Sequence, residues 1–299
     1  MTARRVDFPA WMKKAISLST DNEVGSVLER NRLNTVCREA TCPNRSECYC
    51  SGTATFLIMG SVCTRNCRFC DIHSGTPSPL DSTEPERVAN AASELGLDYV
   101  VVTSVTRDDL PDGGAHHFSN TILALKAAGV ADIEVLTSDF NGCIECVCMV
   151  ADAKPSVFNH NVETIERLYP SIRPGADYHR SLRVLSTASR IGLPTKSGLM
   201  VGLGEHPEEV IRVLMDLRSC GVLLLTIGQY LSPTQKHHPV VEFVSPSRFD
   251  WYKEKALELG FVAVASDPFV RSSYMAKQMY DSLRGETGRH DFTGNLEEK

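Results

Sequence analysis

The sequence predicts an α/β protein, a partial (β/α)6 TIM-like barrel with N- and C-terminal extensions. Two observations lead there. From residue 53 to 230, short β-branched runs alternate with amphipathic helical stretches, the pattern of βα units on a parallel sheet. The strand candidates recur every 25 to 45 residues or so, which suits repeated βα elements rather than hairpins. At 299 residues, with 42% hydrophobic and 23% charged residues, the chain has ample length for one such domain and an ordinary globular core.

In order, residues 1–52 form an N-terminal extension. It holds two short helical patterns, 11–18 and 23–33, and a loop-like stretch rich in turn formers, Cys37-Arg-Glu-Ala-Thr-Cys42-Pro-Asn-Arg-Ser-Glu-Cys48. The barrel, 53–230, takes strands at 54–59, 99–103, 133–137, 156–159, 196–201 and 223–228. Helices are expected at 84–95, 117–128, 143–151, 162–168 with 178–191, and 207–219, several opened by Pro or acidic residues. Residues 231–299 form a C-terminal extension. A strand-helix-strand stretch leads to Val270-Arg-Ser-Ser-Tyr274, then a helix to about residue 283, then a polar, Gly-bearing tail expected to be mobile.

The formal charge of -6 argues against binding to phosphate backbones, so no nucleic-acid partner is expected. The first residues lack the apolar core of a secretory signal, and no run approaches the ~18 apolar residues of a membrane span. A cytoplasmic protein is expected. In that reducing setting the eleven cysteines read as metal ligands and thiols rather than disulfides.

Six of those cysteines fall in two triplets. Cys63-Thr-Arg-Asn-Cys67-Arg-Phe-Cys70, spaced C-x3-C-x2-C, follows the first strand, where barrel chemistry gathers. Structural zinc and ordinary iron-sulfur clusters are usually held by four protein ligands, so three thiolates suggest a cluster with one open iron. The alternatives are a zinc knuckle completed by a distant residue such as His73, or unligated thiols. Cys37, Cys42 and Cys48, spaced C-x4-C-x5-C among polar residues, read as a second metal site that needs a fourth ligand from elsewhere. Polar loops follow the other strands: 103–114, Asn159-His160-Asn161, Gly202-Leu-Gly-Glu205, and Gln229-Tyr230.

The C-x3-C-x2-C triplet, with Phe69 before its last cysteine, resembles the radical S-adenosylmethionine (SAM) enzymes. With the upstream triplet, the stretches 102–115, 158–164, 196–205 and 229–234, and Arg271-Ser-Ser-Tyr274, the chain resembles the lipoyl synthase family over roughly residues 30 to 280. This resemblance implies two 4Fe-4S clusters and SAM as cofactors. It implies radical-mediated insertion of two sulfur atoms at C6 and C8 of a protein-bound octanoyl-lysine. The cluster on Cys63, Cys67 and Cys70 would bind and cleave SAM, and that on Cys37, Cys42 and Cys48 would be the sulfur source. The family's fourth ligand to the latter is a serine that maps best to Ser273, with Ser272 competing; the plainer reading of either is a helix N-cap. Implied partners are octanoylated lipoyl carrier domains, a one-electron donor such as ferredoxin or flavodoxin, and an iron-sulfur carrier for cluster rebuilding.

Asp112, Gly113 and Gly114 correspond to a glycine-rich segment that contacts SAM in the superfamily, or to a plain turn. Lys196, Ser197 and Glu205 flank a strand and could reach ribose or carboxylate groups, or simply be solvated. His160 lines a substrate channel or serves as a structural histidine. Arg45, Arg65, Arg68, Lys13 and Lys14 are candidates for docking an acidic carrier. Cys143, Cys146 and Cys148 are read as small apolar residues on an outer helix, not as a third cluster. The competing functions are a non-catalytic iron-sulfur electron carrier, a zinc-structured binding protein, and another sulfur-inserting radical enzyme of the biotin-synthase type.

Overall fold

The computed structural model describes residues 8–12, 23–45, 48 and 55–285. Its frame is one eight-stranded sheet. Strand β1 (Asn34–Thr35) pairs antiparallel with β2 (Thr55–Ile58). Parallel to β2, in spatial order, follow β5 (Tyr99–Ser104), β6 (Asp132–Leu136), β7 (Val157–Asn159), β8 (Thr195–Val201), β9 (Leu224–Gln229) and β10 (Ala263–Asp267). The order is linear, with no pairing of β1 to β10 among the described residues, so the barrel is open. Two-residue strands β3 (Val62–Cys63) and β4 (His73–Ser74) form a separate parallel ribbon.

The strands are rich in apolar residues because both faces are covered, although β6 (Asp-Ile-Glu-Val-Leu) and β8 (Thr-Lys-Ser-Gly-Leu-Met-Val) also carry buried polar residues. β2 and β9 are buried along their whole length. Outside the sheet lie α1 (Glu23–Arg30), α3 (Glu84–Glu94), α4 (Ala115–Ala127), α5 (Ile144–Asp152), α7 (Tyr178–Arg190), α8 (Pro207–Ser219), α9 (Pro246–Glu258) and α10 (Ala276–Arg284). Short helices α2 (Val36–Glu39) and α6 (Tyr169–Ile172) sit in the connections. Sequence signals set the starts of several: Pro at the first turn of α3, α8 and α9, and Asp177 accepting the Arg180 N–H at the head of α7.

Three expectations change. The helix expected at 162–168 is instead an irregular segment. Glu163 bridges to Leu199 on β8, a 3-10 turn covers Glu166–Leu168, and α6 follows. The strand-helix-strand stretch after residue 230 supplies no first strand, only α9 and then β10, which joins β9 as a seventh parallel strand. Cys143 and Cys146 are bridged as a disulfide, not separate thiols. Cys143 is the extended N-cap of α5, so its Cα lies 5.3 Å from that of Cys146. Of the 11–18 helical pattern only a 3-10 turn at Ala10–Met12 is described; the rest of it, Cys50 and the tail beyond 285 lie outside the described residues.

Candidate active site

A cavity of about 540 Å³ opens at the carboxyl ends of the parallel strands. Leu57 of β2, Thr103 of β5, Leu136 of β6, Gly198 of β8 and Gly228 of β9 form its walls. All six triplet cysteines line it, as do Ser272 and Ser273.

The β3–β4 ribbon closes the Cys63 loop: Gly75 N–H donates to the Cys63 carbonyl at 2.9 Å. The Arg68 N–H donates to Ile172 O at 2.8 Å, which fixes the far side of the loop to α6. Two backbone N–H groups, of Thr106 and Arg65, aim at Cys63 Sγ at 3.3 and 3.4 Å, the donors a thiolate ligand needs. Arg65 itself is a strut. It forks onto Asp108 (2.7 and 2.9 Å) and reaches Asp139 at 2.7 Å. Burial works against its cation, and the two carboxylates outweigh that. It is 8% exposed, so it is withdrawn from the set expected to dock a carrier. Lys13 and Lys14 lie outside the described residues.

The second triplet reaches the cavity through a short tether. Thr35 caps α2 by accepting the Cys37 N–H at 3.0 Å. Thr41 Oγ1 donates to Asp71, next to Cys70, at 2.7 Å, and Asn44 Nδ2 donates to Phe269 O at 2.7 Å. The segment 269–274 is thereby drawn over the triplet. Arg271, half-buried, lies close enough to Cys42 to feel its charge. Ser272 Oγ donates to Asn161 Oδ1 at 3.0 Å and accepts from Asn159 Nδ2 at 3.1 Å. Ser273 lines the cavity and makes no hydrogen bond among the described residues. Neither serine is a helix N-cap, since α10 is entered through Met275.

The opposite wall is polar. His160 Nδ1 meets Thr137 O at 2.9 Å, and burial lowers the imidazole to about 4, so it is neutral. Its Nε2, with Ser104 Oγ and Thr137 Oγ1, has no protein partner. Glu163, which adopts a left-handed backbone (φ 64°), and Arg173 stand beside them. Burial pushes the Glu163 carboxyl up, against the pull of Arg173 and Asn161. Neither Glu163 nor Arg173 stands out in the sequence: Glu163 sits in the irregular stretch that reads as helix, and Arg173 in the connection after it.

The SAM-contact candidates are placed elsewhere. Asp112 accepts the N–H groups of Gly114 and His116, both at 2.9 Å, and Gly113 and Gly114 adopt positive φ in a turn. None of the three lines the cavity. Glu205 accepts the N–H groups of Gly202 (2.6 Å) and Leu203 (2.9 Å), closing its own loop. Lys196 is fully buried on Glu134 at 2.9 Å, so its amine faces a carboxylate of the barrel interior. His73 is exposed and off the cavity wall, so it does not complete a zinc knuckle.

The residues fit clusters and a polar cofactor. Among the described residues no three His, Cys, Asp or Glu converge on a single ion, whereas each triplet faces the shared cavity. Burial raises the Cys67 thiol and pushes Cys70 up to about 12, so neither is a thiolate at neutral pH without a cation on it. The unpartnered polar atoms of Ser104, Thr137 and His160 suit a polar ligand.

Residues 57–217 match the model of the radical SAM superfamily. The chain is 53% identical over 287 residues to the lipoyl synthase of Caldanaerobacter subterraneus subsp. tengcongensis, covering 95% of this chain and all of that one. It is 49% identical over 282 residues to that of Chlorobium phaeovibrioides, covering 92% and 99%. Among solved structures, methylornithine synthase superposes with a TM-score of 0.53 at 15% identity, covering 82% of this chain and 75% of that one. Streptococcus suis SuiB bound to S-adenosylmethionine gives 0.53 at 12%, covering 74% and 47%. At such identity these two speak for the fold alone.

Proposed function

The chain belongs to the lipoyl synthase family of radical SAM enzymes, and we propose that its two cysteine triplets divide that family's reaction across one cavity. The activity is insertion of two sulfur atoms at C6 and C8 of a protein-bound octanoyl-lysine, with SAM consumed. When bound, a 4Fe-4S cluster on Cys63, Cys67 and Cys70 supplies the electron that cleaves SAM, and one on Cys37, Cys42, Cys48 and Ser273 supplies the sulfur. Alkane C–H bonds offer no usable pKa, so the protein's part is to position the acyl chain and keep water away.

The cavity wall suits that part. Leu57, Leu136 and Met200 offer an apolar face to an eight-carbon chain. His160, Glu163, Arg173 and the hydroxyls of Ser104 and Thr137 offer polar contacts to the amino-acid and ribose ends of SAM. Ser272, held by Asn159 and Asn161, anchors the segment that carries its neighbour Ser273 on the cavity wall. A hard alkoxide is an ill-matched ligand for iron among sulfides, so Ser273 would hold a cluster on the second triplet more weakly than a fourth cysteine would. Octanoylated carrier domains, a ferredoxin- or flavodoxin-like electron donor and an iron-sulfur carrier are the partners, in the cytoplasm. No helix among the described residues is long and apolar enough to cross a membrane.

The observation that carries this reading is the meeting of six cysteines and Ser273 on one cavity. The test is anaerobic reconstitution followed by SAM, dithionite and an octanoyl-lysine peptide, read by mass spectrometry. The native chain yields 5'-deoxyadenosine and a peptide that gains two sulfurs. Ser273→Ala keeps deoxyadenosine formation and loses sulfur insertion, and Cys63→Ala loses both. Full sulfur insertion by Ser273→Ala, with Ser272→Ala inactive, would transfer the ligand role to Ser272.

A further inference from the structure

We propose that Cys143 and Cys146 form a reversible thiol–disulfide couple on the outside of the barrel, a redox site separate from the six cavity cysteines. The sequence there is Cys143-Ile-Glu-Cys146, and the structure joins the two sulfurs. The turn before it sets the first cysteine at the head of the helix, half-buried against the core. Phe140, Asn141 and Gly142 all take positive φ (44°, 53° and 83°), and Cys143 then caps α5 with an extended backbone. The Cα–Cα separation of 5.3 Å lies within the window a disulfide requires. The same separation also serves the dithiol, because Cys143 Sγ accepts the Cys146 N–H at 3.2 Å.

The pair is asymmetric in the way thiol exchange needs. Cys143 is half-buried at the head of a nine-residue helix, where the N-terminal dipole favours a thiolate. Cys146 is 4% exposed, packed beside Val147 and Val150. Glu145, whose carboxylate lies 3.7 Å from Cys143 Sγ, opposes that thiolate, and the nearby Arg180 is engaged by Asn141 Oδ1 at 2.9 Å and by Asp139 at 3.4 Å. A purely structural bridge is a poor account of the motif. Cysteines three residues apart close a minimal loop and restrain the unfolded chain little. Neither sulfur reaches the cavity, so the couple is not a spare cluster ligand.

With a small-molecule disulfide as oxidant, the Cys143 thiolate attacks one sulfur and displaces the other as a thiolate. Cys146, losing its proton, then attacks the Cys143 sulfur and releases the second thiol. Two electrons and two protons leave the pair, and a dithiol reverses the sequence. The turn that carries Cys143 also carries Asp139, the carboxylate that grips Arg65 of the Cys63 loop, so the couple sits at the far end of a strut to the cavity.

The test uses the reconstituted holoenzyme, equilibrated anaerobically with graded ratios of oxidised and reduced glutathione, quenched in acid, denatured and alkylated with a maleimide. The peptide containing residues 143–148 is then weighed. Under oxidising ratios it carries one maleimide, on Cys148, and is two hydrogens lighter; under reducing ratios it carries three, with the same midpoint from both directions. Cys146→Ser traps glutathione on Cys143, whereas Cys143→Ser leaves Cys146 unmodified. Three maleimides at every ratio, or glutathione persisting on native Cys143, would overturn the proposal. None of these outcomes depends on sulfur insertion, so failure of one reading leaves the other standing.

Discussion

His160 illustrates how far burial can set a residue's chemistry. It is 1% exposed, with its Nδ1 on Thr137 O, and burial lowers its folded value from 6.5 to about 4. A base lowered on folding contributes stability that is full above its unfolded value and lost as pH falls toward the folded one. The cluster-free protein should therefore lose roughly 3 kcal/mol from this site between pH 6.5 and 4. Urea titrations across that range should show the slope, and His160→Asn should flatten it; an unchanged slope would assign the acid sensitivity elsewhere. The Glu134–Lys196 pair is a second such case. Both are fully buried, Tyr99 Oη and Asn159 Nδ2 complete the carboxylate's partners, and through Asn159 the pair reaches Ser272. Removing one charge strands the other, so Lys196→Met should destabilise by about 3 to 5 kcal/mol, and adding Glu134→Gln should restore most of it. Equal loss in the single and double variants would show that the charges are not coupled. The two cysteine triplets stand out in the sequence because their spacing is local, and both line the one cavity. Lys196 was misplaced because its partner lies 62 residues away, where no pattern could announce it.

Elements carry the next set of constraints. The six expected strands appear within a residue or two because strands buried on both faces leave short β-branched and apolar runs in the chain. Where the chain departs from that rule, so does the reading. Val162 and Thr164 are fully buried against β8 in a segment whose apolar spacing imitates a helix. β10 joins the sheet although its pairing partner β9 is separated from it by α9 and a long polar loop. Gly228 on β9 reveals what that end of the sheet is for. A Cβ there would stand 2.2 Å from Val270 O, which is backbone, so the strand can carry only glycine if the 270–273 segment is to lie against it. Gly228→Ala should push Ser272 off Asn161 and move Ser273 with it. Displacement of a reacting group by about 1 Å can reduce a rate on the order of 100-fold. Sulfur insertion should fall by that order while 5'-deoxyadenosine formation per SAM bound stays within about twofold, since the Cys63 loop leans on β3, β4 and α6 instead. Parallel loss of both products would mean that β9 supports the whole cavity.

At the scale of the whole molecule, the two triplets are held very differently. The Cys63 loop grows from the carboxyl end of β2, beside the terminal strand β1, and is braced by Arg65, Asp108 and Asp139. The Cys37 triplet hangs from the sheet by two residues of β1 and touches the far end of the chain through Asn44 and Phe269. Its place was not legible in the sequence, because the contact joins segments 225 residues apart and neither has a periodic pattern. A short tether of that kind gives little protection alone, and a metal centre whose ligands come from both ends of the chain would supply the rest, since binding free energy becomes local folding free energy. Hydrogen exchange should show it. On reconstitution, the backbone of residues 34–48 and 269–275 should slow together by on the order of tenfold or more, while α4 and α7, remote from the triplet, stay unchanged. Cys42→Ala, which leaves the Cys63 loop intact, should abolish the gain in both segments at once, and Ser273→Ala should abolish most of it in 269–275. Protection arising in 34–48 alone would mean that the carboxyl-terminal segment contributes no ligand, whereas protection of both in the Cys42→Ala protein would credit the fold, not the metal, with bringing the two ends together.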